Sequence, residues 1–287
     1  DFDAVFLTPG TSKIGFYDRV ELFSIERNAH LLLINFESGN WFNALSPTPR
    51  PLSDWTPWRK AAQNASVVLS STQESKKWAL DFYTSCWDYT LFEFCYPPIN
   101  TPAADSIIDV ETQDRILMFM RFSTSSHKGS GEITKIFCEA MRGYTLVIVL
   151  GKETVPKKIA VPLLDAAQRF GVRLEFKQRL TDVEKFREIK SARILLFPSY
   201  FEGFGYPPVE AQYCNVNCVA FDLPVLRETC GDRLYLAEKG NWPELRKKIS
   251  EALADARDTS GFRDEIAPIT SFETATACLE TILQKLL

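Results

Sequence analysis

Short apolar runs recur along the chain, separated by stretches whose apolar residues follow a helical period, and this alternation predicts an α/β protein built on parallel sheets. In the first hundred residues the runs fall at 3–7, 31–34, 67–70 and 91–96. Thr8-Pro9-Gly10 closes the first with a turn signal. Apolar residues at 20, 22, 23 and 25 predict a short helix over 17–26. Ser71-Thr72-Gln73-Glu74 places hydroxyls before a carboxylate, the order of a helix N-cap, and predicts a helix running to about Tyr83. Between Asn35 and Trp58 the pattern dissolves. Pro47, Pro49, Pro51 and Pro57 together with Trp41, Trp55 and Trp58 predict a long irregular loop, a feature that in compact domains is usually functional or mobile. Exposed indoles there would suit a sugar-stacking or interfacial surface, whereas buried ones would close a small core.

The second half repeats the alternation more cleanly. Strands are predicted at 115–119, 145–150, 172–176, 194–197, 218–221 and 234–236, with helices at 130–141, 162–170, 182–191, 224–229, 242–256 and 271–287. The helix at 162 starts on its proline, and Asn215 is placed to take the left-handed cap usually given to glycine. Tyr96-Pro97-Pro98-Ile99-Asn100 locks φ twice and marks a domain boundary, giving an amino-terminal domain over 1–99 and a carboxy-terminal one over 100–287. Parallel strand-helix repeats have right-handed crossovers and bind ligands at the carboxyl ends of their strands.

Composition adds exclusions. A chain of 287 residues, 45% apolar and 24% charged, suits two modest domains with ample core. Its net charge of −4 argues against a nucleic-acid partner. No apolar stretch reaches bilayer length, no signal peptide is visible, and the start at Asp1 reads as a segment of a longer product. Seven cysteines without a Cys-x-x-Cys pair fit a reduced, cytosolic chain. Cys214 and Cys218 lack histidines close by, since only His30 and His127 exist, so buried structural thiols are expected rather than a metal site.

Chemistry concentrates in Phe197-Pro-Ser-Tyr-Phe-Glu-Gly-Phe-Gly-Tyr-Pro-Pro-Val-Glu-Ala211. An apolar strand enters it, glycines follow at 203 and 205, and Pro207 and Pro208 fit the first turn of a helix. Glu202 is expected at the strand exit and Glu210 in that first turn, flanking amide donors at the positive end of a helix dipole. Such a corner binds anions, and its two carboxylates can accept from vicinal hydroxyls. A nucleotide sugar carries both features; an ordinary acidic first turn would also account for Glu210.

The order Glu-Gly-Phe-Gly-x-Pro-x-x-Glu-Ala after Phe-Pro-Ser, with seven residues between Glu202 and Glu210, closely resembles the donor-site motif of retaining GT-B glycosyltransferases of family 4. Met120-Arg121-Phe122-Ser123-Thr124-Ser125-Ser126-His127-Lys128-Gly129 matches the family too, with Arg at a strand exit and Lys before Gly. The resemblance covers about residues 60–287. It implies the GT-B fold, two Rossmann-like doubly wound domains facing a cleft, with the terminal helix returning toward a first domain that is short or truncated. It implies a hexosyltransferase that moves sugar from a nucleoside-diphosphate donor to a glycan or lipid hydroxyl, with retention, no metal and no cofactor.

On that resemblance the catalytic groups are Glu202, Arg121 and Lys128, the last two holding the diphosphate. Donor-binding positions extend to Gly203, Phe204, Gly205, Val209 and Glu210, with Glu210 on the ribose. Arg179 and Leu180, in the loop at 177–181, would receive the base of a UDP- or GDP-sugar. His127 is expected to be a bystander, and Glu228 an acid that is either structural or placed around the diphosphate. Two departures stand out. Asn215-Val216-Asn217 replaces the usual Gly-x-Pro, and Asn35-Phe36-Glu37-Ser38 stands where many relatives have a His-Asp-like pair. The front of the chain therefore motivates an alternative, a non-catalytic nucleotide-sugar-binding subunit whose acceptor half comes from a partner; a nucleotide-sugar epimerase is a further one. The expected location is the cytoplasm. Peripheral contact at the inner membrane face stays open, because Lys152, Lys157 and Lys158 are too few for a basic anchor.

Overall fold

The computed structural model describes residues 4–8, 14–47, 49–84, 88–122, 126–255 and 259–286. The chain divides into two compact units, Asp1–Pro97 with Phe272–Leu287, and Pro98–Ser271.

In the first unit, strands β1 (Ala4–Leu7), β2 (His30–Asn35), β3 (Val67–Ser70) and β4 (Leu91–Phe94) form a parallel sheet in that order. The apolar runs at 31–34 and 67–70 become its central strands, where both faces need cover. Helices α1 (Ile14–Glu26), α2 (Gly39–Leu45), α3 (Thr56–Gln63) and α4 (Gln73–Phe82) connect them. Thr72 caps α4: its hydroxyl accepts the Ser75 amide at 3.0 Å while the Ser75 hydroxyl accepts the Thr72 amide at 2.9 Å.

The irregular loop expected over 35–58 is instead largely helical. It holds α2, a 3-10 turn at Leu52–Trp55, and α3, whose first turn takes Pro57. Prolines at helix starts read in sequence like loop prolines, because both positions tolerate a missing amide hydrogen. The tryptophans build core rather than an exposed sugar platform. Trp41 and Trp55 are 1% and 2% exposed; Trp41 stacks on Trp78, and Trp55 meets Trp58 edge-on at 4.9 Å. Gly39 is needed for that packing, since a Cβ there would lie 2.7 Å from the Trp55 ring.

The last helix of the chain, Phe272–Gln284, also belongs to this unit. It sets Ala275 and Ile282 against Leu32, Val67, Leu69 and Cys95. Just beyond it Lys285 donates to Glu93 of β4 at 2.5 Å, and Lys76 of α4 reaches the same carboxylate at 3.1 Å.

The second unit holds six parallel strands, β5 (Arg115–Met120), β6 (Thr145–Leu150), β7 (Arg173–Gln178), β8 (Ile194–Phe197), β9 (Asn217–Phe221) and β10 (Tyr235–Ala237), in the order β10-β9-β8-β5-β6-β7. The order reverses between β5 and β8, the switch point where doubly wound sheets open a crevice at their carboxyl ends. Its helices are α5 (Thr101–Asp105), α6 (Lys157–Phe170), α7 (Asp182–Ser191), α8 (Tyr206–Tyr213), α9 (Pro224–Cys230), α10 (Trp242–Ala254) and α11 (Phe262–Thr270); the chain then ends on α12, the Phe272–Gln284 helix. Sequence patterning missed α5 and α11. The helix expected at 130–141 is two 3-10 turns, Ser130–Ile136 and Glu139–Met141, separated by extended Phe137 and Cys138. Gly131 and the β-branched Ile133, Thr134 and Ile136 favour α-helix poorly. α6 starts at Lys157 and takes Pro162 inside it, at the loss of one backbone hydrogen bond. Asn215 has φ of 57° and caps α8 in the left-handed conformation. No helix among the described residues is long and apolar enough to cross a membrane.

Candidate active site

The neighbouring ends of β5 and β8 bring the two singled-out loops together. The Tyr200 amide donates to the His127 carbonyl at 2.7 Å. The fully buried Ser199 hydroxyl lies 3.2 Å from that same carbonyl and 2.9 Å from the Phe201 carbonyl. Ser199 thus touches the residues immediately before Lys128 and Glu202, and those two form an ion pair across 74 positions of sequence. Gly129 makes the approach possible. Its φ is 72°, and a Cβ on it would stand 2.5 Å from the Pro198 carbonyl oxygen, well inside contact distance.

Beyond Glu202 the chain turns through Gly205, whose φ of 88° suits glycine and whose missing Cβ would lie 2.5 Å from a Leu226 methyl. Gly205 caps α8, so the helix starts at Tyr206, one residue before the prolines. This corrects the expected place of Glu210: it lies past the first turn of α8, and the first turn carries no acid. Glu210 is also 4% exposed, and Lys185 of α7 donates to it at 2.7 Å. Burial pushes the Glu210 carboxyl above its ordinary range, with Lys185 pulling it back only in part. Burial alone would lower Lys185, but Glu210 and then Asp182, at 3.1 Å, outweigh it and hold the ammonium above its ordinary value. Burial, then the charge of Glu210, pushes the Tyr206 phenol up to about 12.

A cavity of about 350 Å³ opens at the same sheet edge, with Arg121, Lys128, Arg179, Leu180, Lys185 and Pro207 on its wall. Arg121 is exposed and Lys128 half-buried. Arg179 follows β7 in the left-handed region, φ 53°, which fixes the bend that presents Leu180 to the cavity. Four cationic side chains therefore converge on one pocket whose remaining wall is largely apolar, with Lys128 and Lys185 already paired to Glu202 and Glu210, an arrangement suited to a polyphosphate. Gly203 is half-buried beside Glu202. Phe204 and Val209 are 4% and 0% exposed, and neither side chain is among the described residues lining the cavity.

His127 is buried with its ring edge-on to Phe201, and its carbonyl carries the loop contact. Glu228 lies half-buried in α9. Ser123-Thr124-Ser125, between Arg121 and Lys128, fall outside the described residues. Sequence reasoning missed Lys185. Its only signal was indirect: a carboxylate buried in α8 needs a cation, and the helix start after β7 is the nearest sheet-edge source. Among the described residues no three His, Cys, Asp or Glu side chains are grouped to hold a metal ion.

Comparison with known proteins identifies the fold and the family. The O-antigen chain mannosyltransferase RfbU of Salmonella typhimurium is 33% identical over 122 residues, 39% of this chain and 32% of that protein. The O-antigen chain mannosyltransferase B of Escherichia coli is 34% identical over 65 residues, 23% of this chain and 17% of that protein. The chain thus matches about a third or less of the length of these curated relatives. Sucrose-phosphate synthase from Thermosynechococcus elongatus superposes with a TM-score of 0.73 over 99% of this chain and 73% of its own, at 16% identity. Anabaena HepE in complex with UDP and glucose gives 0.70 over 98% and 77%, at 17% identity. The α/β architecture with two parallel sheets is the GT-B fold of these structures. The family described as Glycosyl transferases group 1 matches residues 110–266, which span β5 to β10 and every cavity-lining side chain named above. The chain belongs to the glycosyl transferases group 1 family.

Proposed function

We propose that this chain takes part in hexosyl transfer from a nucleoside-diphosphate sugar to a hydroxyl of a glycan or lipid acceptor, in the manner of family 4, with retention of anomeric configuration and without a metal. The observation that carries the reading is the cavity at the β5–β8 switch point, where Arg121, Lys128, Arg179 and Lys185 converge beside Glu202. Arg121 and Lys128 take the diphosphate. Breaking the bond from anomeric carbon to phosphate loads charge on the leaving group, and preorganised cations stabilise that charge most where water is excluded. Lys128 has three donors, so it can hold Glu202 and a phosphate oxygen together.

Glu202 and the amides of Gly203 to Gly205 receive hydroxyls of the transferred sugar, while Glu210 accepts from the ribose. The loop at Arg179 and Leu180 takes the base through its backbone. The acceptor oxygen attacks from the face the phosphate leaves; its proton passes to the departing phosphate, the new glycosidic bond replaces the old one, and no side-chain nucleophile is required. The named activities of the relatives make mannose the first sugar to try, supplied as a GDP- or UDP-sugar.

Proton NMR of the product tests the reading. Retention of the donor's anomeric configuration supports it, and inversion contradicts it. Donor turnover without any acceptor product would favour an epimerase instead, and donor binding without turnover in the presence of competent acceptors a binding subunit.

A further inference from the structure

We infer that Lys185 is a positioning residue of the donor site: it holds the buried Glu210 carboxylate charged and oriented, so that the carboxylate can accept a pair of ribose hydroxyls. The inference rests on the proposed function and adds a residue that the family motif does not contain.

Lys185 sits where two local constraints put it. Thr181 caps α7, accepting the Glu184 amide at 3.3 Å while Glu184 accepts the Thr181 amide at 2.8 Å, and the Lys185 amide closes the first turn on the Thr181 carbonyl at 2.8 Å. That turn follows β7 directly, so the side chain leaves it at the carboxyl edge of the sheet. There it does two things at once. It stands on the cavity wall with Arg121, Lys128 and Arg179, and it donates to Glu210, whose own carboxylate is not among the described groups lining the cavity. Lys185 therefore links the pocket wall to the carboxylate behind it, and the ammonium sets where the Glu210 oxygens point.

The groups around Glu210 leave the task to Lys185. From α7, Asp182 opposes ionisation by its charge, and Lys185 favours it. On α8 itself stand Tyr206 and Tyr213, with Cys214 just past its end; each is raised above an ordinary value already high enough to keep it neutral. Among the other elements packed against α8, Arg263 of α11 is committed to Asp105 at 2.8 Å and Tyr213 at 3.0 Å, and Arg227 of α9 to Asp222. β9 offers the Cys218 thiol, and β8 has no titratable side chain. Without Lys185 the carboxyl would face burial and Asp182 alone, which both favour the protonated form. A protonated carboxyl has one oxygen that donates, so it can no longer present a charged acceptor oxygen to each of the two hydroxyls. Asp182 in turn accepts from Asn100 at 2.7 Å, which steadies the ammonium it touches.

The test is calorimetric titration of the whole chain with UDP and GDP from about pH 5.5 to about 8.5, comparing the wild type with Lys185→Met, Lys185→Arg and the double variant Lys185→Met/Glu210→Gln. The inference expects Lys185→Met to weaken binding of the preferred diphosphate by about tenfold at neutral pH, the scale of a lost hydrogen bond to a charged group. It also expects the loss to grow as pH falls, with a midpoint displaced to higher pH than in wild type. Lys185→Arg should restore both affinity and profile. The double variant should bind weakly throughout and keep only the pH dependence of the diphosphate itself, whose terminal phosphate protonates at about pH 6. A Lys185→Met protein that binds as tightly as wild type with the same pH profile overturns the inference, as does a Lys185→Met profile no different from that of the double variant. If Lys185→Met proves unstable, Lys185→Arg and Glu210→Gln carry the same comparison through their profiles. Failure of wild type to bind either diphosphate would instead contradict the proposed function, so the two failures are distinct.

Discussion

Lys128 and Glu202 meet as an ion pair at the switch point of the second sheet, one from the loop after β5 and the other from the loop after β8. Their meeting is enforced from behind: Ser199 bridges the carbonyls of His127 and Phe201, each one residue before a member of the pair. The pair is a product of the topology, since β5 and β8 are neighbours in the sheet and their following loops leave its carboxyl edge side by side.

Removing the ammonium tests its chemical role. Lys128→Ala should lower kcat by about 10²–10³-fold if it stabilises the leaving phosphate as other oxyanion-type donors do. Coupled detection of nucleoside diphosphate release measures this, and a rise confined to KM would mean that Lys128 binds ground and transition states alike.

Ser199→Ala removes a buried hydroxyl without orphaning the His127 carbonyl, which keeps the Tyr200 amide. Stability should fall by about 1 kcal/mol, the net worth of one such hydrogen bond. Because the hydroxyl also registers the two loops, kcat should fall more than stability alone accounts for; urea unfolding and a rate assay at saturating donor separate the two effects.

Gly129→Ala should be more damaging than Gly131→Ala. At Gly129 a methyl meets backbone oxygen and a left-handed φ, whereas at Gly131 nothing lies within 4 Å of the added atom. The φ term alone costs about 1–3 kcal/mol, and the clash adds to it. Parallel chemical denaturation of the two variants gives the comparison.

In the first unit, burial would raise the Glu93 carboxyl, but hydrogen bonds from Lys285 and Lys76 outweigh it and hold the group below its ordinary value of 4.5. A carboxyl lowered in the folded state adds stability above its unfolded pKa and loses it as pH falls through the folded one. The contact joining the residue after α12 to β4 should therefore weaken below about pH 4.5. Glu93→Gln should cost about 1 kcal/mol or less at neutral pH, as expected of a partly exposed pair, and flatten the acid limb. Hydrogen exchange of the α12 amides between neutral and acidic pH reads it out.

The alternating architecture was legible because central parallel strands are apolar on both faces. The runs that became β5, β6 and β8 could be read as strands from composition alone. Arg121, Lys128 and Glu202 were legible through the family motif, and the sheet order accounts for their meeting. Besides α5 and α11, three features were not. Pro57 at the start of α3 looks like a loop proline until its helix is seen. The 3-10 turns at 130–141 keep an apolar spacing close to helical while lacking the α hydrogen bonds. Lys185 has no local signature, for it sits among acids in a polar first turn, and its meaning comes only from Glu210, 25 positions later.

The cation-lined cavity is the proposed nucleotide-sugar site. Calorimetric titration of wild type, Arg121→Ala and Lys128→Ala with UDP, GDP and their sugar conjugates tests it most directly. The account predicts one site per chain for one of the two nucleotides, with affinity reduced by about tenfold or more in each variant, as for a lost charged hydrogen bond. Binding that is absent in wild type, or equal in all three proteins, would contradict it.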